Sequence, residues 1–271
     1  MKIWIVSAAF ILALVSCSKE EKWVAIGDSI TYLNDHTDET GDRVTKGYMT
    51  LVTDEMSHLK YINKGFNGWT ATDVAGEVNN LGLSKADLYT VFLGTNDWWR
   101  GTPIGTLEDY KNKTGRGTLF GSFRIIIGKL RELNSDAPII LITPMQRVDF
   151  VYVADMKNNA YGSYRKKNGQ SLSDFAIAIL EIGKFEKLEV VDLYNKSGMT
   201  HENLVRFKRL KDPATGEYKD FSYPDFIDIP FKPETDEYPY PADAVQMTYD
   251  GLHPSDEGYE VIAKMLVEVL R

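Results

Sequence analysis

The stretch Trp23-Val-Ala-Ile-Gly-Asp-Ser-Ile30 decides the fold of this chain. Its first four residues are apolar and favour an extended strand, and the apolar run stops at Gly27-Asp28-Ser29. A buried parallel strand ends in this way when it delivers a small polar residue to the edge of a sheet. Because ligands bind outside the carboxyl ends of the strands in open α/β sheets, the pattern makes Ser29 a candidate functional residue.

Strands and helices alternate along the rest of the chain. Four further segments are short and apolar, and several segments between them carry apolar residues three and four positions apart, the spacing of an amphipathic helix. Strands that alternate with helices pair in parallel through right-handed crossovers. The sequence therefore predicts an α/β protein, a three-layer α/β/α sandwich around a five-stranded parallel sheet. The predicted strands are Trp23–Ile30, Lys60–Phe66, Asp87–Leu93, Pro138–Thr143 and Glu189–Leu193, and the predicted helices are Tyr48–Leu59, Thr70 to about Leu81, Leu119–Leu133, Ser171–Lys187 and one that begins at Ser255.

Composition restricts the class of protein. The chain has 271 residues, of which 43% are hydrophobic and 12% aromatic, so it can bury one substantial core, and we expect a single domain. Its formal net charge is -8, and no run of lysine or arginine is present. Because neutralising phosphates requires a basic surface, nucleic acid is not an expected partner.

The first sixteen residues, 1–16, have the features of an export signal. Lys2 is followed by the apolar run Ile3–Val15, which is too short to span a bilayer. Leu14-Val15-Ser16-Cys17 resembles the lipobox of bacterial lipoproteins, in which the cysteine becomes the lipidated first residue of the mature protein. We therefore expect a signal peptide at 1–16, a mature domain at 17–271, and an extracytoplasmic protein that a lipid on Cys17 holds to a bacterial outer membrane or cell surface.

A long segment near the carboxyl terminus breaks the alternation. Between Asn195 and Tyr249 no helical pattern is present, six of the ten prolines occur, and aromatic residues are frequent. A loop of this length without structure of its own is unusual in a compact domain unless it is functional. We therefore predict an insertion at about 195–249 that covers or extends the site.

Polar residues cluster at the predicted strand ends. Ser29 lies at the end of the first predicted strand, Gly68 and Asn96 each follow a predicted strand, and Asp250 and His253 precede the last helix. Acyl transfer requires a nucleophile, a base, an orienting carboxylate and hydrogen-bond donors for the developing oxyanion. These five residues supply every role. The chain contains no Gly-x-Ser-x-Gly sequence, so the nucleophile elbow of the α/β-hydrolases is absent.

Four short blocks, taken in order, resemble the motifs of the SGNH or GDSL-type hydrolases. Each block alone is unspecific, but the four in order, of which the last is an Asp-x-x-His block before the last helix, are specific to that family. The resemblance covers most of residues 23–271 apart from the insertion. It implies a flavodoxin-like sheet with strand order 2-1-3-4-5 and an esterase mechanism. The blocks are Gly27-Asp28-Ser29-Ile30, Asn67-Gly68-Trp69-Thr70, Gly94-Thr95-Asn96-Asp97 and Asp250-Gly251-Leu252-His253-Pro254.

The resemblance also implies a role for each residue. Ser29 would be the nucleophile, His253 the general base and acid, and Asp250 the carboxylate that orients the imidazole. The backbone N–H groups of Ser29 and Gly68, with the side-chain amide of Asn96, would bind the oxyanion. This mechanism requires no metal or organic cofactor, and the single cysteine of the chain cannot form a thiolate metal cluster.

Trp98-Trp99-Arg100 directly follows the third block. Adjacent aromatic rings beside a site can form a platform for a sugar, and Arg100 could pair with a carboxylate of the substrate. Trp98, Trp99 and Arg100 are therefore candidate substrate-binding residues, although an indole here can equally pack in the core. Asp28 and Asp97, inside two of the blocks, are expected to support their loops through hydrogen bonds.

The expected function is a serine esterase acting on O-acetylated carbohydrate, since a surface lipoprotein with an aromatic, acidic insertion suits a polysaccharide substrate. Two alternatives remain open. A lipase, lysophospholipase or thioesterase would use the same chemistry on longer acyl chains. A glycan-binding surface lipoprotein without turnover would keep the fold, although the presence of Ser29, Asn96, Asp250 and His253 favours an enzyme.

Overall fold

The computed structural model describes residues 19–271, and the predicted signal peptide and Cys17 lie outside this range. Its strands are short and spread over the whole described chain. They are β1 (Glu21–Gly27), β2 (Leu59–Gly65), β3 (Leu88–Phe92), β4 (Ile139–Ile142), β5 (Phe150–Val151), β6 (Asn159–Ala160), β7 (Glu189–Val191), β8 (Lys208–Lys211) and β9 (Tyr218–Phe221).

Five of these strands form one parallel sheet in the order β2-β1-β3-β4-β7. Because β7 is the fifth sheet strand along the chain, this is the predicted order 2-1-3-4-5, and the predicted fold class is confirmed. β5 pairs with β6, and β8 pairs with β9, as two antiparallel ribbons outside the sheet.

Helices form the two outer layers. The α-helices are α1 (Ser29–Tyr32), α2 (Tyr48–Glu55), α3 (Ala71–Glu77), α4 (Thr95–Arg100), α5 (Leu107–Asn112), α6 (Leu119–Leu133), α7 (Leu172–Glu186), α8 (Leu193–Lys196) and α9 (Asp256–Leu270), with short 3-10 turns at Leu33–Asp35, Thr37–Thr40 and Ala242–Ala244. α2 and α9 pack against one face of the sheet, and α3, α6 and α7 pack against the other, which completes the three-layer sandwich. Within residues 19–271, no helix combines the length and hydrophobicity that a membrane crossing requires.

The central strands are apolar on both faces because a helical layer covers each face. Along β1, Trp23 and Ala25 join the core that contains α2 and α9. Val24 and Ile26 join the core on the opposite face, as the two-residue period of a strand dictates. All four side chains are fully buried. At about 1.5–3 kcal/mol for each large apolar side chain removed from water, these two cores supply the main stabilisation of the fold.

The register of the sheet brings three strand ends to the same level. Gly27, the last residue of β1, pairs with Gly65 at the end of β2 and with Phe92 at the end of β3. The segments that follow these strands therefore emerge side by side at the carboxyl edge. Ser29 and Asn96 follow two of these ends within a few residues.

The end of β1 differs from the prediction. The strand ends at Gly27 and not at Ile30, and Ser29 is the first residue of α1. The Asp28 carboxylate accepts a hydrogen bond from Ile30 N at 3.0 Å, which caps this short helix and stops the strand. The polar stretch 31–46 that follows is also partly folded, because two 3-10 turns come after α1.

The helix that follows β2 begins at its predicted cap. Thr70 Oγ1 accepts from Asp73 N at 3.0 Å, and Asp73 Oδ2 accepts from Thr70 N at 2.9 Å, so the two residues form a capping box. The helix ends at Glu77, which is earlier than the predicted end near Leu81. The predicted cap of the last helix, Ser255, is confirmed as well.

The segment 195–249 is partly folded, and its last residue, Tyr249, stacks on His253. It contains the β8–β9 ribbon and packs into the α2–α9 core through buried residues such as Phe226 and Tyr240. None of its residues lines the cavity beside Ser29, whereas Asp228–Phe231 line a neighbouring cavity. The segment therefore does not cover the cavity beside Ser29, because many of its aromatic side chains pack into or against the core. That the segment extends the site stays a prediction.

We expect Gly65→Ala to destabilise the protein. A Cβ on Gly65 would overlap the backbone of Thr31 and Tyr32, so the helix that carries Ser29 would have to move off the sheet edge. Overpacking of this kind costs about 1–3 kcal/mol, which urea denaturation would detect as a lower free energy of unfolding.

Gly128→Ala is the matched control. A Cβ at this exposed position of α6 meets no atom within 4 Å, so the substitution should raise the free energy of unfolding by up to about 1 kcal/mol through helix propensity. Equal stability of Gly65→Ala and the unsubstituted protein would contradict the close approach of α1 to β2.

Candidate active site

Ser29, His253 and Asp250 form a continuous hydrogen-bonded series. Ser29 Oγ lies 2.8 Å from His253 Nε2, and His253 Nδ1 lies 2.7 Å from Asp250 Oδ2. An ionised carboxylate can only accept, so the imidazole donates through Nδ1 and presents the lone pair of Nε2 to the serine hydroxyl. Asp250 is fully buried and His253 is nearly so. The structure therefore brings together the three residues that the sequence predicts for acyl transfer.

The turn from Asp250 to His253 is built on the carboxylate itself. Asp250 Oδ1 accepts from Leu252 N at 3.0 Å and from His253 N at 2.7 Å, while Oδ2 contacts the imidazole. Gly251 has a φ of 89°, and a Cβ there would overlap the carbonyl oxygen of Asp149. The Asp-Gly-Leu-His spacing thus presents the histidine and orients it within four residues of chain.

Two aromatic rings restrict the imidazole plane. The Tyr249 ring stacks on that of His253 with centroids 5.9 Å apart, and the Phe150 ring meets it edge-on at 5.4 Å. Rings packed in this way limit rotation about the side-chain bonds of the histidine. Nε2 therefore keeps facing Ser29.

The three residues predicted to bind an oxyanion, Ser29, Gly68 and Asn96, line one cavity with His253. No hydrogen bond within residues 19–271 uses the N–H of Ser29 or of Gly68. Asn96 Nδ2 donates to the Trp69 carbonyl at 3.1 Å and to Asp28 Oδ2 at 3.5 Å, which ties α4 to the loop after β2 and to the end of β1. Residues that follow three strand ends therefore meet in the cavity that contains Ser29 and His253.

The profile of the GDSL-like lipase/acylhydrolase family matches residues 25–261. This range contains the serine, histidine and aspartate of the hydrogen-bonded series and all three donors. The chain belongs to the GDSL-like lipase/acylhydrolase family. Membership makes the protein a carboxylic ester hydrolase. A search of curated protein sequences finds no significant match.

Solved structures with the GDSL-like fold align with nearly the whole chain. A possible lipase from Chitinophaga pinensis is 60% identical, covers 93% of this chain and 98% of its own, and has a TM-score of 0.92. A lipase/acylhydrolase from Enterococcus faecalis is 20% identical, with coverages of 92% and 95% and a TM-score of 0.50. A variant of an acetyl-xylooligosaccharide esterase from Geobacillus stearothermophilus is 18% identical, with coverages of 93% and 94% and a TM-score of 0.50. At these lower identities the likeness is one of fold alone.

A cavity of about 370 Å³ opens beside Ser29 of this GDSL-like hydrolase. Its wall combines apolar, aromatic and charged side chains, supplied mainly by the segments that follow β1, β2, β3 and β4. Within residues 19–271, no three carboxylate, histidine or cysteine side chains are grouped in a way that could hold a metal ion. Besides Ser29, Gly68, Asn96 and His253, the lining residues are Leu33, Glu39, Asn67, Trp99, Arg100, Arg147, Phe150, Tyr152, Asn158, Ala160 and Leu252.

The structure separates the two predicted tryptophans. Trp99 lines the cavity, whereas Trp98 is fully buried and donates through Nε1 to the Gln170 carbonyl at 3.2 Å. Both residues lie on α4, where consecutive side chains point about 100° apart, so they cannot form one platform. The predicted substrate role of Trp98 is therefore wrong, and the residue belongs to the core.

Arg100 also lines the cavity, but its guanidinium is engaged by the protein. It donates to the Gly68 carbonyl through Nη2 at 2.6 Å and pairs with Asp73 through Nη1 at 3.0 Å. These contacts hold the loop that carries the Gly68 N–H. Arg100 is thus a positioning residue for that loop, and its charge already has a partner.

The segment after β4 supplies lining residues that the sequence pattern does not reveal. Arg147, Phe150, Tyr152 and Asn158 belong to an irregular stretch whose only strands, β5 and β6, have two residues each. Such short strands leave no readable periodicity. The position of β4 could nevertheless have indicated these residues, because β4 ends at the same carboxyl edge of the sheet as the strand that precedes Ser29.

Two buried aspartates support the loops of the site, as predicted. Asp28 caps α1, and the Asp97 carboxylate accepts from Ala71 N at 2.9 and 3.2 Å. Burial raises the pKa of Asp28 to about 6 and the pKa of Asp97 to about 7, and the backbone hydrogen bonds to each carboxylate oppose the rise.

The raised pKa of Asp97 predicts a specific pH dependence of stability. Its carboxyl titrates near pH 7 in the folded protein, against an ordinary value of 3.8, so between these values the folded state binds a proton that the unfolded state has lost. The protonated Asp97 carboxyl therefore contributes its full stabilisation below about pH 4. As the pH rises through about 7 this contribution is lost, and the free energy of unfolding falls by up to about 1.4 kcal/mol per pH unit.

Asp97→Asn should flatten this part of the curve, because an asparagine keeps an acceptor for Ala71 N and has no proton to lose. Free energies of unfolding from urea denaturation at several pH values provide the measurement. Identical slopes for Asp97→Asn and the unsubstituted protein would contradict the assignment.

Proposed function

We propose that this protein is a serine esterase that removes acetyl groups from carbohydrate, with Ser29, His253 and Asp250 as its catalytic triad. The observation that carries the proposal is the hydrogen-bonded series itself, 2.8 Å from Ser29 Oγ to His253 Nε2 and 2.7 Å from His253 Nδ1 to Asp250 Oδ2. Family membership supplies the reaction class, which is ester hydrolysis.

The reaction proceeds in two steps. Ser29 Oγ attacks the acyl carbonyl carbon while His253 Nε2 takes the hydroxyl proton, the bond between carbon and alcohol oxygen breaks, and the imidazolium returns the proton to the leaving alcohol. Water, which gives a proton to the same imidazole, then attacks the acyl-serine, the bond between the acyl carbon and Ser29 Oγ breaks, and the imidazolium returns the proton to Ser29 as the carboxylic acid leaves. Asp250 holds the tautomer and stabilises the imidazolium that forms between these events.

The carbonyl oxygen gains negative charge in each step and needs donors aimed at it. The N–H groups of Ser29 and Gly68, with the amide of Asn96, serve this purpose, and each such donor typically contributes about 3 kcal/mol to the transition state. Arg100 and Asp97 act through these donors, since they hold the backbone on either side of the loop that carries Gly68.

The mixed wall of the cavity supports a carbohydrate substrate. Trp99 and Tyr152 offer aromatic faces, and Asn67 and Asn158 offer amide donors and acceptors. A sugar ring has apolar faces and a rim of hydroxyl groups, so it can use both kinds of contact.

The outer surface gives less support to a lipase. An enzyme that works at a lipid interface needs a contiguous apolar patch at its entrance. Within residues 19–271, the large apolar side chains with the greatest exposure are Ile177 and Phe185, which lie on α7 and do not line the cavity.

We also infer that a lipid on Cys17 holds the enzyme on a bacterial membrane outside the cytoplasm, which the lipobox-like sequence supports. β1 begins at Glu21, close to Cys17 in the chain, whereas Ser29 follows its opposite end. At about 3.3 Å per residue, β1 separates its two ends by roughly 20 Å. An anchored enzyme would therefore hold its cavity away from the bilayer and toward external polymers.

Ser29→Ala and His253→Ala should each abolish release of acetate from acetylated xylan and of nitrophenol from p-nitrophenyl acetate. Loss of the nucleophile or the base lowers kcat/KM by about 10⁴-fold or more. His201→Ala is the matched control, because its Nε2 also lies 2.8 Å from a serine hydroxyl, that of Ser163, but outside the cavity. Its activity should be retained. A folded Ser29→Ala protein with undiminished activity would refute the triad.

Acyl chain length separates the proposal from its alternatives. Among p-nitrophenyl acetate, butyrate and octanoate, a deacetylase hydrolyses acetate best. Rates that rise with chain length would favour a lipase or thioesterase instead. Failure of the unsubstituted chain on all three esters and on acetylated xylan would favour a glycan-binding protein.

Cys17→Ala should release the protein from the membrane fraction of a bacterium that processes lipoproteins, because the thiol that receives the lipid is missing. Partition into a detergent phase and the mass of the mature protein provide the measurement, with Ser18→Ala as the control. Equal partition of the two variants would contradict the anchor.

A further inference from the structure

Arg147 is buried at the wall of the cavity with most of its guanidinium unpaired. The residue is 1% exposed and lines the cavity beside Ser29. Nη2 donates to the Tyr161 carbonyl at 2.9 Å, whereas Nε has no hydrogen-bond partner within residues 19–271. A guanidinium carries five N–H donors, and burying them unused is costly. A buried group left in this condition calls for an explanation, and binding a ligand is one.

The negative charges of Asp149 and Asp250 act to raise the pKa of Arg147, but neither carboxylate accepts a hydrogen bond from its guanidinium. Asp149 is the nearest in sequence, but it pairs with Lys208 at 2.7 Å and accepts from the Tyr164 hydroxyl. Asp250 is engaged by the histidine of the site. Burial lowers the pKa of Arg147 to about 10, so the guanidinium is still protonated at neutral pH. The cavity wall therefore contains a protonated guanidinium that forms no salt bridge within residues 19–271.

Two indole rings hold this guanidinium in place. Arg147 Cζ lies 5.3 Å from the ring centroids of both Trp98 and Trp99. Cation–π contacts replace part of the lost hydration and restrict the orientation of the planar group. Because Trp99 also lines the cavity, the two tryptophans present a rigid cation to whatever occupies it.

The cavity contains two further charged side chains, Arg100 and Glu39. Arg100 pairs with Asp73 at 3.0 Å. Glu39 accepts from the Tyr32 hydroxyl at 2.9 Å. Of the two lining arginines, Arg147 is thus the one that has no carboxylate partner.

Resting on the proposed esterase function, we infer that Arg147 binds a carboxylate on the alcohol portion of the substrate, so that the preferred substrates are acetyl esters of acidic sugars. The planar fork of a guanidinium matches the two oxygens of a carboxylate, and such charge-assisted hydrogen bonds are strongest in a desolvated site. An acetyl group carries no charge, so the anion belongs to the alcohol. The sequence suggests that Arg100 pairs with a carboxylate of the substrate, and we assign that role to Arg147 instead.

Acetyl esters that differ by one charge test this inference. 4-Acetoxybenzoate and 3-acetoxybenzoate place a carboxylate at two distances from the ester, and their carboxamides have nearly the same size without the charge. Release of the phenol is followed by absorbance with the full-length chain. For at least one isomer, kcat/KM for the carboxylate should exceed that for its carboxamide by about 10- to 100-fold, the usual range for a hydrogen bond to a charged group.

Substitutions at Arg147 identify the source of the preference. Arg147→Met keeps the length of the side chain and removes the charge, so the ratio of carboxylate to carboxamide should fall toward one. Arg147→Lys should restore part of the ratio, because it supplies a point charge without the fork. Arg124→Met is the control: Arg124 Nε is also buried without a partner, but Arg124 lies on α6 at a different cavity, and the ratio should not change.

Each outcome bears on the inference. If the unsubstituted chain hydrolyses the carboxylate and carboxamide esters with nearly equal kcat/KM, the inference about Arg147 is wrong. The esterase proposal would still hold in that case, provided that hydrolysis of the carboxamides depends on Ser29. The inference is also wrong if Arg147→Met still prefers the carboxylate ester. It is wrong as well if Arg147→Met lowers kcat/KM equally for both esters, because Arg147 would then have a purely structural role. If no ester is hydrolysed through Ser29, the esterase proposal fails as well. Thermal unfolding verifies each variant, and Arg147→Lys decides the matter if Arg147→Met does not fold.

Discussion

The common level at which β1, β2 and β3 end is the constraint on which the rest of the site depends. Hydrogen bonding across the parallel sheet sets Gly27 opposite Gly65 and Phe92. A slip of one residue would move every side chain of β1 to the other face and exchange the two cores. The packing that stabilises the sandwich therefore also determines where Ser29 and Asn96 emerge.

The segment after β4 joins this edge to the proposed triad. Val148 N donates to the Gly251 carbonyl at 3.0 Å, and Val151 N donates to that of Asp250 at 3.1 Å, so the cavity wall and the catalytic turn support each other. Lys208, from the 195–249 segment, pairs with Asp149 inside this wall. The 195–249 segment thus supports the loop that carries Arg147, although none of its residues lines the cavity.

The site contains buried ionisable side chains that the packing of the two cores does not need. Burial raises the pKa of Asp28 and Asp97 and lowers that of Arg147, so each ionised form is disfavoured where it lies. Groups of this kind are retained at functional sites, where the loss in stability is offset by positioning or by ligand contacts. The two aspartates hold backbone N–H groups, while the arginine retains unused donors at the cavity.

The sequence by itself determined the fold class and indicated the residues of the proposed triad, and its resemblance to a known family implied the strand order. The fold class depends on apolar runs and helical spacing, and the Asp250–His253 turn closes through hydrogen bonds to the carboxylate of Asp250. Only the tertiary structure decided that Trp98 faces the core and Trp99 faces the cavity. It also decided that Arg147 lines this cavity and that the 195–249 segment packs behind the cavity wall. These outcomes depend on the direction in which a side chain points relative to distant segments, and no local periodicity encodes that direction.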